Sequence, residues 1–323
     1  MKNVRIVFMG TPEFAVATLG SLLMNGLNVV AVVTAPDKPA GRGRKLTKSA
    51  VSIFAEYSCL PVLQPRNLKD PEFIQTLRDL NADIFIVVAF RMLPGEIWKI
   101  PPSGTINLHA SLLPHYRGAA PVNHVIINGE SFTGVTTFLI DDKIDTGNIL
   151  LREGVQIFPF ENAGDLHDRL MKLGARLVIR TLKAIYEDHI IPMPQSAFLR
   201  PGEVPETAPK IFPENCIINW HKETRAIHNL IRGLSPYPGA RSFLNQGNRK
   251  FVFKIFESRP EKEEHQLNPG SIVSDGKNYL KIACNNGFIN IITLQLEGRD
   301  KMNITEFMRG FNISDYTISA TGT

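Results

Sequence analysis

The segment Val4-Arg-Ile-Val-Phe-Met-Gly-Thr-Pro-Glu-Phe14 begins as an apolar run and breaks at Gly10-Thr11-Pro12. A short apolar run closed by Gly and Pro reads as a buried strand. Residues 13–25 follow with Phe14, Ala17, Leu19, Leu22 and Leu23 near helical spacing, and Gly26 stands where a helix end favours glycine. The β-branched run Asn28-Val-Val-Ala-Val-Val-Thr34 is then a second strand. Strand, helix and strand joined by so short a crossover predict a parallel, right-handed unit. The alternation continues with helices over 49–59 and 71–80 and strands over 83–89, 105–108 and 134–140. A doubly wound α/β domain with a mostly parallel sheet is expected. Residues 162–187 close it as a long amphipathic helix, with Leu166, Leu170, Leu173, Leu177, Leu182 and Ile185 on one stripe.

Open α/β sheets bind ligands at the carboxyl ends of their strands. The first strand-to-helix turn lacks Gly-x-Gly-x-x-Gly, and no Gly-x-x-x-x-Gly-Lys occurs. Without those glycines the backbone cannot cradle a pyrophosphate, which argues against NAD and against a P-loop nucleotide. The chemistry is instead expected in Ile106-Asn-Leu-His-Ala-Ser-Leu-Leu-Pro-His-Tyr-Arg-Gly-Ala-Ala-Pro121. Asn107 and His109 lie two apart, so both face one way at a strand end. A carboxamide donor beside an imidazole could hold a carbonyl oxygen that becomes an oxyanion. Taken alone, the pair is more simply two satisfied polar groups. Asp141-Asp-Lys-Ile-Asp-Thr-Gly147 follows the 134–140 strand, where an aspartate could orient a histidine at a neighbouring strand's end. Alone, that loop is more simply a solvated turn.

The 323 residues are too many for one small core, and two domains are expected. Apolar residues make up 43% and charged residues 21%, as in soluble globular proteins. The longest apolar run, 84–90, is far short of a membrane span, so no membrane association is expected. The N-terminal apolar run breaks too early for a signal peptide. Cys59, Cys216 and Cys284 are scattered without metal or redox spacing, which fits a reducing cytoplasm. The histidines form no His-Glu-x-x-His pattern, and no metal is expected.

The net charge of +5 is mild. Its distribution tells more: residues 36–50 hold five basic residues against Asp37 alone, a local +4, whereas 201–323 hold 15 basic and 13 acidic residues. If nucleic acid binds, that early loop is the concentrated feature. Residues 189–215 contain six prolines and read as an extended connector. Residues 222–232 look helical, and β-type runs at 251–256, 270–274, 279–283 and 288–294 suggest a small barrel or sandwich, OB-like barrels included. His115, His124 and His167 read as surface or helix residues, and Trp98 and Trp220 as packing residues.

Asn107-Leu-His109, Ser111-Leu-Leu-Pro114, Arg117-Gly-Ala-Ala-Pro121 and Asp145-Thr-Gly147 together resemble the 10-formyltetrahydrofolate-dependent formyltransferases. Gly10-Thr-Pro-Glu-Phe14 and Gly41-Arg-Gly-Arg44 narrow the likeness to the methionyl-tRNA formyltransferase family, and it extends through Ala208-Pro-Lys210 into the β-rich tail. The resemblance implies a Rossmann-like formyltransferase domain over 1–188, a linker over 189–209 and an OB-like tRNA-binding domain over 210–323. It implies 10-formyltetrahydrofolate as co-substrate and initiator methionyl-tRNA as acceptor, in a cytoplasmic enzyme expected to be a monomer. Asn107, His109 and Asp145 take the family's catalytic positions. The backbone around Phe90, Arg91 and Met92 and the turn Ser111, Leu112, Leu113 and Pro114 would bind folate. Phe14 would face the methionyl side chain, and the loop carrying Arg42, Arg44 and Lys45 would touch the tRNA.

The chain departs from the family pattern in two places. Lys143-Ile144 and Asn148 flank the Asp-Thr-Gly motif where many members have Gly-Leu and an acidic residue, and Phe90-Arg91-Met92 replaces a Tyr-Gly-Gln segment. Rival readings are formyl transfer to a small amine or an amino-sugar nucleotide, hydrolysis of formylfolate, and a silent tRNA binder. The long C-terminal extension argues against the small-amine enzyme. A hydrolase would carry a regulatory domain ahead of the catalytic one, and a silent binder need not keep all three polar residues.

Overall fold

The computed structural model describes residues 3–40, 45–187 and 190–319. In chain order they form β1 (Arg5–Gly10), α1 (Glu13–Met24), β2 (Asn28–Val33), β3 (Lys38–Ala40), β4 (Lys45–Thr47), α2 (Ala50–Tyr57), β5 (Val62–Leu63), α3 (Pro71–Asp79), β6 (Ile84–Val88) and α4 (Gly95–Trp98). Then come β7 (Thr105–His109), α5 (Pro121–Ile127), β8 (Phe132–Leu139), β9 (Ile149–Gln156), α6 (Ala163–Tyr186) and α7 (Thr224–Gly233). The tail holds β10 (Ala240–Gln246), β11 (Arg249–Lys262), β12 (Ile272–Ser274), β13 (Leu280–Cys284), β14 (Gly287–Leu296), β15 (Met302–Asn303), α8 (Ile304–Arg309) and β16 (Thr317–Ile318). One compact unit is built from the chain up to Gly118, Thr133–Val155 and His167–Thr207. A second comprises Ala119–Phe132, Gln156–Leu166 and the chain from Ala208 onward.

The first unit is organised on a seven-stranded sheet of order β5-β2-β1-β6-β7-β8-β9. β5, β2, β1, β6 and β7 pair in parallel, as the strand–helix alternation requires. All five residues of β6 are buried, as an apolar run covered on both faces should be. In α1, Phe14, Ala15, Thr18, Leu19 and Leu22 are buried, and the helix ends where Gly26 takes φ +66°. Ser49 caps α2 by accepting the Ser52 N–H at 3.0 Å, and Asp70 caps α3. Gly10 is fixed by packing: a Cβ there would lie 2.6 Å from the Ala15 Cβ.

One strand direction differs from expectation. β8 runs antiparallel to β7, with Ile106 opposite Leu139 and His109 opposite Thr136. The end of β8 therefore lies beside the start of β7, not beside its carboxyl end. The basic loop is also more structured than expected, since β3 and β4 pair as an antiparallel ribbon on either side of it. Arg42 and Arg44 lie outside the described residues. The Pro-rich connector is likewise more than a spacer: Met193 exchanges two backbone hydrogen bonds with Ile149, and Gln195–Phe198 forms a 3-10 turn.

The second unit is an antiparallel, barrel-like sheet of order β12-β13-β14-β11-β10-β16, with β15 beside β14. Register shifts near Glu257 let the long β11 bend. Its core joins fully buried Trp220, Ile255, Ile282, Ile289 and Ile291 to Ile227 and Ile231 of α7. The Trp220 indole N–H donates to the Ser242 hydroxyl at 3.0 Å. No helix of the described residues is long and apolar enough to cross a membrane.

Buried His228 on α7 places Nδ1 3.1 Å from the Ser258 hydroxyl. Burial, and then the nearby Arg232 guanidinium, lower its pKa to about 4. An unfolded histidine titrates near 6.5. Below that value the unfolded chain therefore binds the proton first, and stability falls until the pH has passed below about 4. The full loss is about 3 kcal/mol. Followed by Trp220 fluorescence in a Trp98→Phe background, the denaturation midpoint should drop between pH 6.5 and 4.5. His228→Gln should flatten that drop; an unchanged slope would remove His228 as its cause.

Candidate active site

Asn107 and His109 project from one face of β7, as their spacing requires. Asn107 is half-buried, and its carboxamide makes no hydrogen bond among the described residues. His109 is 7% exposed. Its Nε2 lies 2.8 Å from the Tyr116 carbonyl, which can only accept, so Nε2 carries the proton of that bond. Its Nδ1 lies 3.7 Å from Asp145 Oδ2. Both neighbours are acceptors, so the imidazolium alone can donate toward both.

Asp145 reaches His109 by an unexpected route. The chain leaves β8 beside the start of β7, where the Ile140 N–H donates to the Thr105 carbonyl at 2.8 Å, and must then turn back. Asp141 organises that turn: its Oδ1 accepts from the Lys143 N–H at 3.1 Å and the Thr146 hydroxyl at 2.7 Å. Asp145 itself takes φ +55°, a conformation that costs a non-glycine residue about 1–2 kcal/mol. At Gly147 a Cβ would overlap the Leu139 carbonyl, which accounts for the glycine of Asp-Thr-Gly. The Gly118 N–H donates to Asp145 Oδ2 at 3.0 Å, so one carboxylate oxygen faces both His109 and the Arg117-Gly118 turn.

Sequence reasoning missed the residues that hold these groups. Gln195, from the connector, donates to the carbonyls of Asp145 and Gly147, both at 2.9 Å, and accepts from Arg117 Nε and Nη2 at 3.0 and 2.7 Å. Thr136 on β8 donates to the Ser111 carbonyl at 2.6 Å and accepts from the Leu113 N–H at 3.1 Å. In sequence, a glutamine among prolines and a threonine within a strand give no signal of either role.

Residues 3–182 match the formyl transferase family model, and residues 210–312 match that of the formyl transferase C-terminal domain. The methionyl-tRNA formyltransferase of Flavobacterium johnsoniae is 52% identical over 315 residues, 98% of each chain. That of Bacteroides fragilis is 50% identical over 97% of each. The chain belongs to the methionyl-tRNA formyltransferase family. Among solved structures, the N-formyltransferase from Helicobacter canadensis, in complex with folinic acid and dTDP-3-aminofucose, superposes with a TM-score of 0.64. It is 23% identical, over 89% of this chain and 98% of its own. A sugar 3N-formyl transferase, WlaRD, solved with dTDP and 5-N-formyl-THF, gives 0.63 at 21% identity, over 92% and 99%. At that identity the likeness is one of fold.

The segment Phe90-Arg91-Met92 is firmly held at Arg91. Its guanidinium donates to the Pro65 carbonyl at 2.8 Å and the Arg66 carbonyl at 3.3 Å, and lies 5.3 Å from the Phe90 ring centre. Burial draws the Arg91 pKa below its ordinary value. Phe90 packs on the core beside β6, whereas Met92 is exposed. In the turn after β7, Ser111, Leu113 and Pro114 are buried and Leu112 half-buried. The Ser111 hydroxyl donates to the His115 carbonyl at 2.7 Å, and Leu113 packs against Phe138 and Ile149. Phe14 is buried with its ring centre 5.2 Å from that of His167. Of the basic loop, the backbone of Lys45 pairs with Ala40 in the ribbon. Among the described residues, no cluster of three or more His, Cys, Asp or Glu could hold a metal ion.

Proposed function

We propose that this protein transfers the formyl group of 10-formyltetrahydrofolate to the α-amino group of methionine on initiator methionyl-tRNA. The products are tetrahydrofolate and the N-formylmethionyl-tRNA used in translation initiation. The reading rests on about 50% identity over nearly the whole chain to methionyl-tRNA formyltransferases. The cluster at the carboxyl end of β7 supplies the chemistry.

The amine must be uncharged to attack the formyl carbon, and attack turns the formyl oxygen into an oxyanion. Asn107 is the ready donor to that oxygen, because its carboxamide has no hydrogen bond to give up among the described residues. His109 becomes the second donor by exchanging the Tyr116 carbonyl for the oxyanion at Nε2. Asp145 stabilises the imidazolium and helps carry away the ammonium proton, directly or through water. The folate nitrogen leaves with the electron pair of its bond to the formyl carbon and takes up a proton.

Folate is held by the backbone of Phe90, Arg91 and Met92 and of Ser111, Leu112, Leu113 and Pro114. Ser111 and Leu113 would contribute through the Ser111 N–H and the Leu113 carbonyl, since their side chains, the Ser111 carbonyl and the Leu113 N–H are already engaged. Phe14 borders the methionyl pocket. Residues 1–188 form the catalytic module, 189–209 the linker and 210–323 the module that grips tRNA, in a monomer acting in the cytoplasm. The test runs labelled 10-formyltetrahydrofolate against charged initiator tRNA, free methionine, a dTDP-amino sugar and no acceptor. Product on charged tRNA alone is expected; deformylation without acceptor, or product on the sugar alone, would overturn the proposal.

Arg42, Arg44 and Lys45 contact tRNA phosphates in this reading, as a +4 segment would. Arg42→Ala should raise the tRNA KM and flatten its log–log salt slope by about 0.7–0.9, the share of one phosphate contact. An unchanged KM and slope would remove Arg42 from the interface.

A further inference from the structure

We infer that Gln195 is a positioning residue for the transfer reaction, holding Asp145 against His109 from the connector. The inference rests on the catalytic role proposed for Asp145. Gln195 is 4% exposed, and every polar atom of its side chain has a partner. Its oxygen takes both Nε and Nη2 of the Arg117 fork, and its two amide hydrogens go to the Asp145 and Gly147 carbonyls. The opposite amide orientation would set N–H against the guanidinium and oxygen against two carbonyls, so four partners fix the assignment.

What those bonds hold is the strained part of the site. By gathering the carbonyls of residues 145 and 147, the carboxamide stabilises the tight bend in which Asp145 adopts φ +55°. By anchoring Arg117, it also fixes the turn whose Tyr116 carbonyl accepts from His109 and whose Gly118 N–H donates to Asp145. One side chain thus ties together the two segments that bracket the imidazole. The connector is itself secured on either side of Gln195: Met193 pairs with Ile149, and the Glu206 carbonyl accepts the Tyr116 N–H at 2.6 Å. A packing role would be filled as well by any buried apolar residue. Two acceptors to bridge and one guanidinium to receive require a neutral group with donors on one edge and an acceptor on the other, which a carboxamide supplies.

Gln195→Glu separates the two functions. It keeps the shape and the bonds from Arg117, but sets carboxylate oxygen against the two loop carbonyls. Expected is a fall in kcat of about 10–10²-fold with the folate KM changed less than about threefold. In an Asp145→Asn background the same substitution should cost almost nothing further, because Gln195 acts through that carboxylate. Full additivity of the two losses would overturn the inference. So would a wild-type kcat in Gln195→Glu, or a parallel fall of kcat and folate affinity, which would make Gln195 a structural strut. Gln195→Ala provides a second measurement of the same split. A wild-type enzyme inactive on charged tRNA but active on another acceptor would contradict the proposed substrate instead, and the cycle would then be run on that acceptor.

Discussion

Replacing Asp145 by Asn is expected to lower turnover by about 10²–10⁴-fold, the range spanned by positioned acid–base groups. The substitution preserves size, and a carboxamide oxygen can still accept the Gly118 N–H that Asp145 Oδ2 now receives. What it removes is the negative charge 3.7 Å from His109 Nδ1. Without that charge the imidazolium loses its counter-ion, and the departing ammonium proton loses an acceptor. Folate binding should survive, since the proposed folate wall draws on residues 90–92 and 111–114 rather than on the Asp loop. Single-turnover formylation at saturating donor, with equilibrium folate binding beside it, separates the two effects. Normal turnover in the variant would contradict the role given to Asp145.

Asn107→Ala should cost about 10²–10³-fold in kcat, as loss of an oxyanion donor does. The structure makes this a clean experiment. The carboxamide makes no hydrogen bond within the described residues, so truncation strands no buried partner and the melting temperature should barely move. An interaction made only as charge develops should lower kcat and kcat/KM together and leave KM alone. Asn107→Asp should be at least as damaging, because it points a like charge at the oxyanion. A rise in KM with kcat intact would make Asn107 a ground-state contact instead.

The strand–helix alternation of the first 110 residues was legible because apolar runs, caps and breakers agree there; Ser49, Asp70 and Gly26 do what their residue types suggest. Direction was harder to read. Nothing in Phe132–Leu139 announces an antiparallel strand, because a β-branched run is equally at home in either pairing. Sequence places Asp145 beside His109 but does not show the path: the loop doubles back through an Asx turn on Asp141 and a glycine that the Leu139 carbonyl demands. β9 gives no signal in sequence because Ile-Leu-Leu-Arg-Glu-Gly-Val-Gln holds neither a strict alternation nor an unbroken apolar run. β10 and α8 are equally silent, the first rich in polar residues and the second only six residues long. The supporting residues were the least visible. Gln195 works through partners 48 to 78 positions away, and composition around it speaks only of prolines.

The most direct test of the account follows an isotopically labelled formyl group from 10-formyltetrahydrofolate in one turnover, with charged initiator tRNA present or withheld. With tRNA, the label is expected on the methionyl α-nitrogen in the wild type and to be nearly absent there over the same interval in Asp145→Asn. Release of label as formate at one rate whether or not charged tRNA is present, or equal transfer by the two proteins, would contradict it.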